Sequence, residues 1–378
     1  MNLRSGILLL TLMNAAMLAS GQLYICLPIM HEIANYYSIS STLVPIVGTS
    51  FGLSYAIGFL IWGPISDHYG RYLTLLIGLS LTCLTTIGTA IAENFSLEIV
   101  FRILQGLSAA SIAPIGLALL SEILPEKSRS IGLALMSFSF IVAAPIAQFY
   151  AKVTGLNFPA LMFFGACSFA FCLVTLIFIR SRNFGKHIRR SYSLKNNFKS
   201  LICNPKILTA WGISITVLFS FVVFQTLLHS PLNVGNLNST EITIYTIAGM
   251  TASFIAGPII QKFGGIRIAC LGLLFSVLSL FLAYIMHSFG GFSIVMLSIG
   301  TALTLPSIIS IVSSQASNLS RGMAISIYSF IVFFGASLGP LYVQLVNLSG
   351  FNLLLPPCFL LTLSIGLLNM INLRIKFS

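Results

Sequence analysis

The chain has 378 residues, of which 57% are hydrophobic and only 7% charged, and its mean hydropathy is +1.00. An ordinary soluble domain carries about 25% charged residues, so a soluble globular enzyme, a disulfide-stapled secreted scaffold and a disordered chain are excluded. A transmembrane β-barrel is excluded too, because its strands alternate apolar and polar residues and this chain runs apolar without alternation.

The 19 Lys+Arg and 7 Asp+Glu divide the chain into spans. Charge-free stretches run 5–31, 33–66, 72–92, 103–121, 130–151, 153–179, 207–240, 242–261, 268–320 and 322–373. A helix crosses the hydrocarbon in about 20 residues, so the first eight stretches hold one crossing each and the last two hold two each. The latter split near His287-Ser288-Phe289-Gly290-Gly291 and near Asn347-Leu348-Ser349-Gly350. Twelve spans are predicted. Basic residues stay cytoplasmic beside spans. With both termini inside, 17 of the 19 Lys+Arg fall inside, Lys152 falls outside and Arg102 falls within a span. The net charge of +12 is thereby a topology signal with some attraction to anionic headgroups, and no nucleic-acid partner is implied.

Span 1 begins like a signal peptide, with Arg4 and then Ala19-Ser20-Gly21, but its apolar run continues through Ile25-Cys26-Leu27-Pro28 and is predicted to remain as a span. It carries the polar residues Gln22 and Tyr24. Between spans 2 and 3 stands Gly63-Pro64-Ile65-Ser66-Asp67-His68-Tyr69-Gly70-Arg71-Tyr72, a tight loop in which Gly70 permits a positive φ and Asp67 can cap a helix. Span 4 holds Arg102-Ile103-Leu104-Gln105-Gly106. A cation there costs at least about 2.5–3.5 kcal/mol on insertion scales, so it has to meet a cavity or a partner; Glu98 lies one turn earlier on the same face. Span 5 holds Ala144-Pro145-Ile146-Ala147-Gln148. The polar segment Ser181–Lys206 follows span 6 and gives an N-terminal six-helix bundle (1–180), a cytoplasmic linker (181–205) with a short amphipathic helix at Leu194–Cys203, and a C-terminal six-helix bundle (206–378). Gln225 and Tyr328 are the polar residues singled out in the second bundle. Gly335-Ala336-Ser337-Leu338-Gly339-Pro340 offers a small-residue packing face. The seven cysteines are scattered without metal-ligand spacing and read as small buried hydrophobes. No metal or cofactor is expected.

The two bundles look related. Gly63-Pro64-Ile65 and Gly70 recur as Gly257-Pro258-Ile259 and Gly264 at an offset of 194, and Ser139-Phe140-Ile141-Val142 recurs as Ser329-Phe330-Ile331-Val332 at an offset of 190. Tandem six-span halves are the mark of secondary transporters.

The Gly63–Tyr72 segment resembles the signature loop of the major facilitator superfamily, G-x-x-x-D-[RK]-x-G-[RK]-[RK], departing from it at His68 and Tyr72. Arg102-x-x-Gln105-Gly106 is similar to that family's R-x-x-Q-G motif in span 4. Ala144-Pro145-Ile146-Ala147-Gln148 resembles a reduced form of the antiporter motif G-P-x-x-G-G. With Tyr24–Pro28 and Gly58–Pro64, the chain looks most like the Bcr/CflA drug-resistance branch. The resemblance implies an all-α membrane protein of the major facilitator fold, with two pseudo-symmetric six-helix bundles, and not an enzyme. It implies a monomeric secondary transporter in the bacterial inner membrane, both termini cytoplasmic, exporting small amphipathic compounds by alternating access. Gly63, Asp67, Gly70 and Arg71 would form the gating loop. Arg102, Gln105, Gln22, Tyr24, Gln148, Gln225 and Tyr328 are the candidate substrate or coupling residues, and Pro145, Gly335, Gly339 and Pro340 the packing residues.

One departure bears on mechanism. The branch carries an acid in span 1 where this chain has Gln22, and an amide cannot change charge to couple a proton. Whether protons are a partner is therefore open. The first alternative is a uniporter or uptake permease for a neutral or anionic metabolite; the second is a non-transporting membrane receptor or scaffold.

Overall fold

A computed structural model describes residues 3–40, 42–155, 157–179, 194–229, 237–286, 289–317, 320–346 and 350–377. Residues 181–193 of the linker, and the predicted breaks at 287–288 and 347–349, lie outside the described residues. Among the described residues the chain is helical, with no strand. The chain divides into two compact units, Met1–Ser191 and Tyr192–Ser378.

The first unit contains α1 (Leu3–Gly21), α2 (Met30–Tyr37), α3 (Pro45–Tyr69), α4 (Arg71–Ala90), α5 (Phe95–Ala109), α6 (Ile112–Ile123), α7 (Glu126–Val153) and α8 (Phe158–Ile179). The second contains α9 (Leu194–Ile202), α10 (Pro205–Leu228), α11 (Ser239–Met250), α12 (Ala252–Phe263), α13 (Gly265–Ile285), α14 (Gly290–Gln315), α15 (Arg321–Leu345) and α16 (Leu355–Phe377). Among the described residues eleven segments are long and apolar enough to cross a membrane, and Phe138–Val153 of α7 is a shorter apolar stretch. Two spans are helix pairs. Phe95–Leu120 runs through α5 and α6, and Thr240–Phe263 through α11 and α12.

Helix starts follow local chemistry. Asn94 Oδ1 accepts from the Leu97 amide at 2.9 Å at the start of α5, and Asn204 Oδ1 accepts from the Lys206 amide at 3.0 Å at the start of α10. Each satisfies an amide that has no partner within its helix. Pro45 and Pro205 open α3 and α10, where a missing N–H is no loss.

The two units share one pattern of helix pairing. In the first, α4 packs on α5, α1 on α7, α3 on α5, α4 on α8 and α1 on α8. In the second, the matching pairs are α13 on α14, α10 on α15, α11 on α14, α13 on α16 and α10 on α16. In lipid there is little hydrophobic drive between helices, so close packing depends on small residues. A Cβ on Gly335 would collide with the Ile215 carbonyl of α10, and one on Gly339 would stand 2.7 Å from Val222. The small-residue face of α15 thus lies on α10, with Pro340 buried beside it, and Pro145 is buried within α7. Exposed Phe163, Phe164, Phe171 and Phe178 on α8 present the apolar outer face that lipid requires.

The expected loop between spans 2 and 3 is corrected. Helix α3 continues through Gly63, Asp67 and His68 to Tyr69, and α4 begins at Arg71, so the connection is Gly70 alone. Gly70 has φ 97° and ψ 135°, and its amide donates to the Ser66 carbonyl at 3.0 Å. Gly264 repeats this between α12 and α13, with φ 87° and its amide on Ile260 O at 2.9 Å. The repeat seen in the sequence is therefore a repeat of backbone conformation, in the φ range that favours glycine. A second short element was also missed: α2 stands between spans 1 and 2 and ends at Ser38, whose φ is 53°.

Candidate functional site: a buried arginine at a break in span 1

Span 1 does not run through as one helix. Helix α1 stops at Gly21, residues 22–26 form turns, and residues 27–29 form one turn of 3-10 helix before α2. Pro28 explains the interruption: it has no N–H to give, and its ring crowds the carbonyl four residues back. The backbone switches to short-range bonds, Leu23 N to Ser20 O at 3.3 Å and Tyr24 N to Gly21 O at 2.9 Å. Such breaks leave polar backbone groups that need partners inside the protein.

Arg102 supplies them. It has no solvent exposure. Its Nη2 donates to the Gln22 carbonyl at 2.7 Å and to Cys26 Sγ at 3.7 Å. Nη1 donates to Gln105 Oε1 at 2.8 Å and Gln22 Oε1 at 3.3 Å, and Nε donates to the Val47 carbonyl at 3.2 Å. A guanidinium has five N–H donors, and these contacts occupy all five. Its carbon lies 4.7 Å from the centre of the Phe51 ring, a cation–π contact. The charge caps the C-terminal end of α1, where a positive group is favourable. Gln105 extends the network, with Nε2 donating to Thr86 Oγ1 at 2.8 Å. Span 1 is thereby joined to α3, α4 and α5 through one side chain and its neighbours.

Gly106 makes this geometry accessible. A Cβ there would fall on Ser54 Oγ and the Phe51 carbonyl, so glycine lets α5 reach the backbone of α3. Two turns on, Pro114 has no N–H for the Ala110 carbonyl, and just before it Ser111 N bonds Ser108 O at 3.1 Å. The Leu107 carbonyl accepts from the Trp62 indole at 2.6 Å.

The cation meets partners and not an open cavity: every donor is taken and nothing of it is exposed. Nor does it form an ion pair with Glu98, since among the described residues no salt bridge of 4.0 Å or less joins them. The break in span 1 draws the guanidinium the other way. Glu98 is itself fully buried in the first turn of α5; Tyr37 Oη donates to its Oε2 at 3.3 Å, and its Oε1 has no partner. Burial, then the nearby Glu98, push the Tyr37 phenol well above its ordinary range, so it remains a donor.

Of the other candidates, Tyr24 is buried in the same break, within electrostatic reach of Tyr55. Gln148 is buried on α7 with Nε2 unpartnered and is not among the bonded partners of Arg102. In the second unit, Gln225 Nε2 donates to Thr246 Oγ1 at 3.0 Å while its Oε1 has no partner, and Tyr328 Oη donates to the Leu305 carbonyl at 3.1 Å. Arg71 at the start of α4 pairs with Glu122 in the last turn of α6 at 3.3 Å. Each of these charges sits at the unfavourable end of its own helix dipole, and the pair offsets both. The side chain of Asp67 lies outside the described residues. Val47, Phe51, Cys26, Thr86 and Tyr37 were not singled out beforehand.

Two units with one pairing pattern, each of membrane-spanning helices, and a broken first span capped by a buried cation define a two-bundle membrane transporter. The model of the Major Facilitator Superfamily matches residues 12–340, and the chain belongs to that family of transporters, not to an enzyme family. Multidrug resistance protein 1 of Bacillus subtilis (strain 168) is 25% identical over 349 residues, covering 88% of this chain and 87% of that one. Multidrug resistance protein 2 of the same organism is 26% identical over 299 residues, covering 75% and 73%. Among solved structures, a bacterial homolog of the human lysosomal transporter Spinster, in an inward-facing and unoccupied conformation, aligns with a TM-score of 0.74 at 14% identity over 97% of each chain, which shows the common fold.

Proposed function

We propose that this protein is a secondary transporter that exports small amphipathic compounds across a bacterial inner membrane by alternating access, with both termini cytoplasmic. The observation that carries the transport reading is the gathering of Gln22, Arg102 and Gln105 around a break in span 1. Broken spans with helix ends turned to polar groups are where such proteins place their working residues. The outward direction and the amphipathic substrate rest on the two Bacillus relatives, whose names state multidrug resistance and which match most of the chain. Expression in an efflux-deficient bacterium tests it. Accumulation of at least one member of a panel comprising a cationic dye, a zwitterionic quinolone and a neutral phenicol is expected to fall. Unchanged accumulation across the panel contradicts export of such compounds.

A specific observation favours a second reading, uptake or uniport of a neutral or anionic metabolite. Residue 22 is an amide, and Arg102 is a buried cation with no carboxylate in bonding contact. A net positive site disfavours organic cations. Flux into proteoliposomes with and without an imposed pH gradient separates the two. Gradient-independent flux of an anion supports uniport, and strong acceleration by the gradient supports coupled export.

A further inference from the structure

Among the described side chains Glu98 is the only fully buried acid. One of its oxygens receives the Tyr37 hydroxyl at 3.3 Å and the other has no partner. Burying an ionised carboxylate in this condition is costly, whereas the neutral acid carries no charge to desolvate. One turn away stands Arg102, whose five donors all go to neutral acceptors, two of them on Gln22. Hydrogen bonds from a guanidinium to a carboxylate are roughly twice as strong as those to neutral groups. The two arrangements are therefore exclusive alternatives. With Glu98 protonated, Arg102 holds the break in span 1. With Glu98 ionised, the carboxylate competes for the guanidinium and the Gln22 carbonyl loses its cap.

We infer that Glu98 is the proton-carrying group of this transporter, and that it acts by competing with the break in span 1 for Arg102. The inference rests on the transport reading above and supplies the titratable group that Gln22 cannot be. Only the carboxyl O–H bond breaks and re-forms, and the proton is exchanged with water. The titratable groups in contact or electrostatic reach are Tyr37 from α2, Cys26 from the turn after α1, and Arg102 from α5 itself. Around Tyr37 and Cys26, α3 and α8 contribute Val44, Val47 and Phe158, none of which titrates.

Infrared difference spectra of the detergent-purified protein test the proton site without any transported compound. Between about pH 5 and about pH 8 exposed acids are already ionised, so a protonated-carboxyl C=O band that falls over this range is expected in the wild type and in Glu98→Asp, and expected to be missing in Glu98→Gln. Absence of the band, a band indifferent to pH, or the same band in Glu98→Gln overturns the assignment. The competition for Arg102 is read at Cys26, in protein carrying it as the sole cysteine. Its alkylation rate by N-ethylmaleimide, divided by the rate in the Glu98→Gln version at the same pH, is expected to be near one at about pH 5. It should fall about tenfold by about pH 8, because the thiolate, which is the reacting form, loses the neighbouring guanidinium and gains a carboxylate beside it. A flat ratio overturns the competition. A failed efflux assay would count against the proposed function and leave both readouts standing.

Discussion

Arg102 is a case where charge, burial and hydrogen bonding can be accounted for donor by donor. Its five N–H groups meet Val47 O, Gln22 O, Gln22 Oε1, Gln105 Oε1 and Cys26 Sγ. A lysine carries the same charge but only three donors on a point. Arg102→Lys is therefore expected to leave buried acceptors bare and to cost about 3 kcal/mol, seen as a lower melting temperature in detergent. Unchanged melting would mean the network holds nothing together. The arginine itself was legible, being the one charge within a span, and Gln22 and Gln105 stood out as polar residues among apolar ones. What they bond to was not. Two of the five acceptors are backbone carbonyls, which every residue type carries alike, and Cys26, Thr86 and Phe51 look like ordinary span residues until the helices are brought together. Glu98 does not pair with Arg102 for the same reason: helical spacing places two side chains on one face but says nothing of a stronger set of acceptors on a neighbouring helix.

At the scale of elements, spans were legible from the charges because ionised residues stay at membrane surfaces. Their interruptions were less so. Pro28 signals that α1 cannot continue, but whether a proline in a span kinks it or ends it depends on what satisfies the freed groups, here Arg102. Helix α2 was absorbed into the ends of spans 1 and 2 because His31 and Glu32 gave the only boundary mark. The connection at Gly70 is tighter than its motif suggested. Two glycine predictions follow from these elements. Gly264→Ala meets no atom within 4 Å, so its backbone conformation alone should cost about 1–3 kcal/mol, measured as a fall in thermal stability; an alanine protein as stable as wild type would contradict that. Gly106→Ala would drive a methyl into Ser54 and the Phe51 carbonyl, and α3 and α5 would have to part. It is expected to lose about 1–3 kcal/mol or more, while Gly212→Ala, exposed and with nothing within 4 Å, should be neutral in the same assay.

For the whole molecule, duplication was visible as motif offsets and is matched by the repeated pairing of helices and the repeated conformation at Gly70 and Gly264. The distribution of basic residues predicts sidedness. In a cysteine-free background, Lys152→Cys should react with a membrane-impermeant maleimide added to intact cells, and Lys262→Cys should not; the reverse pattern would invert the proposed topology. On the proposed function, the transport cycle uses the Arg102 network. Drug accumulation in an efflux-deficient host tests it most directly, comparing wild type with Arg102→Lys at equal amounts of protein in the membrane. Wild type is expected to lower accumulation of at least one compound of the panel, and Arg102→Lys to return it to the level of cells lacking the protein. An Arg102→Lys protein that exports as well as the wild type would contradict the claim.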